Sequence, residues 1–150
     1  MVGADTVMRV TSDCPLIDPD ICRLVLERLD QAGADYACNN NPPTWPHGLD
    51  CEAMTASVLY RADSEAHALF DREHVTPWIR RHPDVARVNV TGPATHADWR
   101  WTLDYSADYA FFQAVFDALG DEPSLTGVLE LLAKRPDIVA INAAHKRHAG

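Results

Sequence analysis

The chain has 150 residues, enough for one domain with a sizeable core, and 47% of them are hydrophobic, an ordinary share for a globular protein. Its net charge of −9 argues against a nucleic-acid surface, which is normally basic. No apolar run reaches bilayer length and no basic stretch leads into an apolar one near Met1, so a cytoplasmic protein without nucleic-acid or membrane partners is expected.

Taken in chain order, strands and helices alternate across residues 1–150 as a single domain, without low complexity or a long linker. Thr6 to Val10 reads as a buried strand that ends in Thr11-Ser12-Asp13-Cys14-Pro15. Asp18 is a helix cap with Pro19 at the first helical position, Ile21, Leu24, Val25 and Leu29 follow at helical spacing, and Gly33 ends the helix. Tyr36-Ala37-Cys38 suggests a short strand. Asn39 to Gly48, with three prolines, has the composition of a loop that either covers a ligand or packs as a plain connection.

Leu49 to Met54 reads as a strand carrying Asp50 and Glu52 on one face, with Ser57 capping the next helix. A further helix is expected from Asp71 through Arg81, bent or interrupted by Pro77. Val85 to Val90 and Trp99 to Leu103 read as strands, and Asp104 ends the second as Asp13 ends the first. Ser106 and Ser124 are expected to cap two helices, with stripes of Phe112, Val115, Phe116 and Leu119, then Leu125, Val128, Leu129 and Leu132, before Pro136 stops the second. Both stripes belong to a core or an interface.

Cys14, Cys22, Cys38 and Cys51 form no CxxC pair, and the seven histidines form no HExxH, so neither zinc nor redox chemistry is indicated and the thiols are expected reduced and mostly buried. Arg80-Arg81 and Lys146-Arg147 read as solvated helix ends. An acidic protein can still take a phosphorylated small molecule when a divalent cation supplies the positive charge. Asp13 and Asp104 both follow apolar strands, so neighbouring strands would let them share one magnesium ion, which takes one or two carboxylates plus phosphate oxygens. Strand-end aspartates also serve as caps and turn-formers, and residue types alone leave both readings open.

Four blocks decide further. Arg9-Val10-Thr11-Ser12-Asp13-Cys14-Pro15-Leu16-Ile17-Asp18-Pro19 resembles the RITGDCPLIDP segment of the sugar cytidylyltransferases, a family related to the acylneuraminate cytidylyltransferases. Gly48-Leu49-Asp50-Cys51-Glu52 resembles its GLDVE block, Arg72 to Pro77 its REHVTP block, and Arg100-Trp101-Thr102-Leu103-Asp104 its RWTVD block, in the same order.

The resemblance implies an α/β, Rossmann-like nucleotide-diphosphosugar transferase fold and a reaction that joins CMP from CTP to a sugar or sugar acid, releasing pyrophosphate, in surface polysaccharide biosynthesis. It implies Mg2+ as cofactor, with Asp13 and Asp104 as its ligands. Asp50, Glu52, His74, Arg72 and Arg100 become substrate-binding candidates, each with a plain structural alternative such as solvation, a core histidine or an internal salt bridge. Arg9 is expected to orient neighbouring carboxylates.

Two departures stand out. Ser12 replaces the family's usual glycine, and the family's glycine- and basic-rich ARxxSxRLPGK segment, which binds the triphosphate, is absent from these residues. The expectation is therefore a partial, N-terminally truncated fold, incomplete as an enzyme alone, that dimerises or takes a separate N-terminal partner. A noncatalytic sugar-binding or subunit-interaction module is the alternative.

Overall fold

A computed structural model describes residues 3–145; Met1, Val2 and the Lys146-Arg147 pair lie outside the described residues. The ordered elements are β1 (Thr6–Arg9), α1 (Pro19–Ala32), β2 (Tyr36–Cys38), β3 (Glu52–Thr55), α2 (Ala56–Glu65), α3 (Leu69–His74), α4 (Pro77–Arg81), β4 (Arg87–Asn89), α5 (Ser106–Leu119), α6 (Leu125–Lys134) and α7 (Pro136–Ala140). No described helix is long and apolar enough to cross a membrane.

The strands form one mixed sheet in the order β1-β3-β2-β4. β3 runs antiparallel to both neighbours, with Arg9 opposite Glu52 and Cys38 opposite Glu52 on the other side, while β2 and β4 are parallel. Side chains alternate across a strand, and here the alternation builds two cores. Ala37 and Ala53 join Ile21, Val25, Leu29, Trp101, Phe111 and Leu132 in one. Tyr36, Cys38 and Met54 join Val58, Ala62, Trp78 and Ile79 in the other. Helices therefore cover both faces.

Local signals account for several elements. Asp18 accepts the Ile21 N–H at 2.9 Å, Pro19 begins α1, and Gly33 closes it with φ of 55°, a conformation that costs glycine little. Ile21, Val25 and Leu29 are buried whereas Leu24 faces out.

Other expectations shift. β1 is a half-buried edge strand rather than a buried one. The cap of α2 is Thr55, whose hydroxyl accepts the Val58 N–H at 3.3 Å, and Ser57 sits inside the helix bonded to it. Likewise Tyr105, not Ser106, precedes α5. The expected Asp71–Arg81 helix is two short helices, broken at Val75, which has φ of 70° and is spanned by a Thr76 N–H bond to the His74 carbonyl. Trp99 to Leu103 is not a strand: only Arg100 forms a bridge, with His47. Pro136 does end α6, and it also begins α7.

Candidate active site

The exit of β1 and the segment before α5 meet at one hydrogen bond. The Leu103 N–H donates to the Asp13 carbonyl at 2.8 Å, so the two aspartates expected to act together lie on adjacent backbones. The turn that follows Asp13 is closed by Ile17 N–H on the Cys14 carbonyl at 3.1 Å, and the Thr11 hydroxyl lies 3.2 Å from the Cys14 sulfur. Burial, with Asp13 and Asp50 adding negative charge, pushes the Cys14 thiol up to about 11 against the opposing Thr11 bond. It stays protonated at neutral pH and is not a nucleophile.

Asp50 reaches the same place by a different route. Asn39 is fully buried, and its side-chain amide bridges the residues on either side of Asp50: Nδ2 donates to the Leu49 carbonyl at 2.7 Å and Oδ1 accepts the Cys51 N–H at 2.9 Å. This side-chain ladder replaces strand pairing before β3 and explains why the strand starts at Glu52 rather than Leu49. Gly48 has φ of 115°, and its bare Cα lies against the Trp101 carbonyl. There the His47 N–H bonds Trp99 O at 2.9 Å and the Trp101 N–H bonds His47 O at 2.6 Å. In the sequence, only its position at the end of a short strand, before an asparagine-rich loop, marks Asn39.

Together these segments wall a cavity of about 210 Å³ whose lining includes Arg9, Thr11, Asp13, Asp50, Glu52 and Thr102. Three carboxylates and one guanidinium leave it net acidic.

Glu52 is 3% exposed and its oxygens are already engaged. Oε1 accepts the Tyr36 hydroxyl, and also the Thr76 hydroxyl at 2.9 Å, while Oε2 takes the Arg9 guanidinium at 2.5 Å. Burial first, then the Glu52 charge, pushes the Tyr36 phenol far up, so it remains a donor. Glu52 thus pairs with Arg9, and both of its oxygens are engaged within the fold. The other residues of the Arg72–Pro77 block divide. Thr76, buried beyond the turn at Val75, reaches Glu52. Arg72 pairs with Asp63 at 2.7 Å on an exposed surface, and the His74 ring packs on Phe70 with centroids 4.5 Å apart. Neither lines the acidic cavity.

Arg100 is also paired within the fold. It is 4% exposed; Nε and Nη2 grip both oxygens of Asp108 at 2.9 Å, and Nη2 reaches Asp104 Oδ2 at 2.5 Å. The Tyr105 ring lies 5.2 Å from the guanidinium carbon. Asp108 is fully buried and also accepts the Asp104 and Tyr105 backbone N–H groups at 3.0 Å and Asn142 Nδ2 at 2.9 Å. Burial raises its carboxyl, but the bonds from Arg100, the backbone amides and Asn142 together outweigh that and hold it well below the usual range.

Asp13 faces the cavity, and Asp104, with a side chain 45% exposed, gives Oδ2 to Arg100 while Oδ1 makes no hydrogen bond among the described residues. No group of three or more potential ligands occurs among the described residues. Two carboxylate donors nevertheless suit magnesium, which keeps several waters and takes its other oxygens from substrate phosphates.

A cytidylyltransferase family model matches residues 2–122. The chain is 30% identical over 143 residues to the spore coat polysaccharide biosynthesis protein SpsF of Bacillus subtilis strain 168, covering 91% of this chain and 58% of that one. It is 28% identical over 147 residues to protein MJ1063 of Methanocaldococcus jannaschii, covering 94% and 58%. Among solved structures, a cytidylyltransferase from Leptospira borgpetersenii serovar Hardjo-bovis (strain JB197) superimposes with a TM-score of 0.82 at 27% identity, over 90% of this chain and 58% of that one. The chain thus spans 58% of the length of these relatives. With the fold, the ordered blocks and the family match in agreement, the chain belongs to the cytidylyltransferase family.

Proposed function

We propose that this chain supplies the metal- and acceptor-side half of a site that transfers CMP from CTP to a hydroxyl of a sugar or sugar acid, in surface polysaccharide biosynthesis. The observation that carries the reading is the acidic cavity at the junction of residues 13 and 103, with Asp13 and Asp50 in its wall and Asp104 beside it. The acceptor oxygen forms a bond to the α-phosphorus, the bond from that phosphorus to the bridging oxygen of the β-phosphate breaks, pyrophosphate leaves, and the hydroxyl proton passes to water.

Asp13 and Asp104 would hold Mg2+, which would offset the phosphate charge that this acidic chain otherwise repels. Asp50, set by Asn39 and the Gly48 turn, accepts hydrogen bonds from acceptor hydroxyls. Glu52 keeps Arg9 at the cavity wall. No side chain here acts as a covalent nucleophile; the rate comes from positioning and electrostatic complementarity. The names of the relatives, a spore coat polysaccharide biosynthesis protein and a cytidylyltransferase, support both the setting and the chemistry.

Calorimetry with CTP tests this reading. Binding is expected only with Mg2+ present and is expected to vanish in Asp13→Asn and Asp104→Asn. Equal binding by wild type and both variants, or none by wild type, would overturn it.

A further inference from the structure

We propose that Asp108 is a positioning residue for the metal site: it fixes the direction in which Asp104 offers its remaining oxygen. The proposal rests on Asp13 and Asp104 being the metal carboxylates. Asp104 alone is poorly constrained, because its side chain is 45% exposed and follows the last bridged segment of the sheet region. Asp108 constrains it twice. Its Oδ2 accepts the backbone N–H of Asp104 and of Tyr105, both at 3.0 Å, which sets the backbone from which Asp104 projects. It also holds Arg100 by a two-pronged contact at 2.9 Å, and the same Nη2 extends to Asp104 Oδ2 at 2.5 Å. One oxygen of Asp104 is thereby pinned and the other left for a cation.

A helix cap alone does not require this arrangement. Capping uses one or two bonds at a wet helix end, whereas Asp108 is fully buried beside a guanidinium that is 2% exposed. Burying two charges is costly, and a buried pair is poor evidence of a stability role by itself. What the pair does deliver is a rigid, two-bond fork, the geometry in which guanidinium and carboxylate orient one another. Partners behind a metal-ligating carboxylate set its orientation, and their removal typically weakens metal binding by about 10–100-fold. Asn142 completes the support, donating Nδ2 to the Arg100 carbonyl at 3.0 Å and to Asp108 Oδ1 at 2.9 Å.

The test is Mn2+ affinity of the full chain, read by electron paramagnetic resonance well below the unfolding midpoint. Asp108→Asn is expected to raise the Mn2+ dissociation constant by about 10–100-fold. Asp71→Asn, which breaks the other buried-aspartate ion pair without contacting Asp104, is expected to lower stability and leave Mn2+ affinity unchanged. Arg100→Lys, which keeps a cation but withdraws the fork, should weaken binding like Asp108→Asn and serves in its place should that variant not fold. The double variant should be no worse than the weaker-binding single, since both act along one path. An Mn2+ affinity within about twofold of wild type in the folded Asp108→Asn variant, or in Arg100→Lys if that is the one that folds, would overturn the proposal while Asp104→Asn still abolishes binding. If wild type binds no Mn2+, or Asp104→Asn binds as wild type does, the metal reading fails and the proposal falls with it.

Discussion

Gly48→Ala tests the turn that brings the two halves of the site together. The backbone there has φ of 115°, and an added Cβ would lie 2.1 Å from the Trp101 carbonyl oxygen and 2.4 Å from its carbon, both well inside the 3.0 Å that Cβ atoms keep. Both obstacles are backbone, so no rotamer change relieves them. The segments must part, stretching the 2.6 Å bond from Trp101 N–H to His47 O and lifting Trp101, which is 1% exposed, from the core. Backbone strain of this kind costs about 1–3 kcal/mol, and overpacking another ~1–3 kcal/mol. A total near 4 kcal/mol would be a large part of a domain stability of about 5–15 kcal/mol. At this chain length that lowers the midpoint by roughly 10 °C. Urea unfolding followed by tryptophan fluorescence measures it, with Gly92→Ala as reference. Its Cβ would first meet the Trp45 ring, at 2.5 Å, a side chain rather than backbone, and its backbone is not in the left-handed region. A Gly48→Ala loss below about 1 kcal/mol, or no larger than that of Gly92→Ala, would refute the close-approach reasoning.

Two further outcomes are expected. The hydrogen bond from Arg81 holds the Asp71 carboxyl below its ordinary 3.8, so the unfolded chain binds its proton first as pH falls. The stabilisation is then complete above the ordinary value and is lost as pH drops through it toward the lowered folded value. Unfolding free energies from pH 6 to 2.5 should fall less steeply in Asp71→Asn, and parallel curves would contradict the assignment. Tyr36→Phe removes one of the three donors to buried Glu52, a bond to a charged acceptor worth about 1.5–3 kcal/mol. Equal urea midpoints for the two proteins would show that Glu52 does not depend on that hydroxyl.

Much of the scaffold is legible in short stretches of sequence. Asp18, Pro19 and Gly33 bound α1 because capping bonds and the permissive φ of glycine are settled within a few residues. The spacing of Phe112 and Val115, and of Val128 and Leu132, marks helix faces that are buried. The four ordered blocks identify the family on their own, and the family comparisons agree.

Tertiary structure decided the rest. Thr55 rather than Ser57 caps α2, because the chain leaves β3 at Thr55 and its hydroxyl is the one that meets Val58 N–H. The Trp99–Leu103 run looks like a strand but finds bridge pairing only at Arg100. Arg100, Arg72 and Glu52 carry charges that suit phosphate or sugar, yet each is paired within the fold, with Asp104 and Asp108, with Asp63, and with Arg9. Sequence determines local conformation and the inventory of charged groups, since those energies arise among near neighbours. Which carboxylate meets which guanidinium is decided only when distant segments close: Arg9 and Glu52 are separated by 43 positions. That closure leaves Asp13 and Asp50 facing a common cavity with Asp104 beside it.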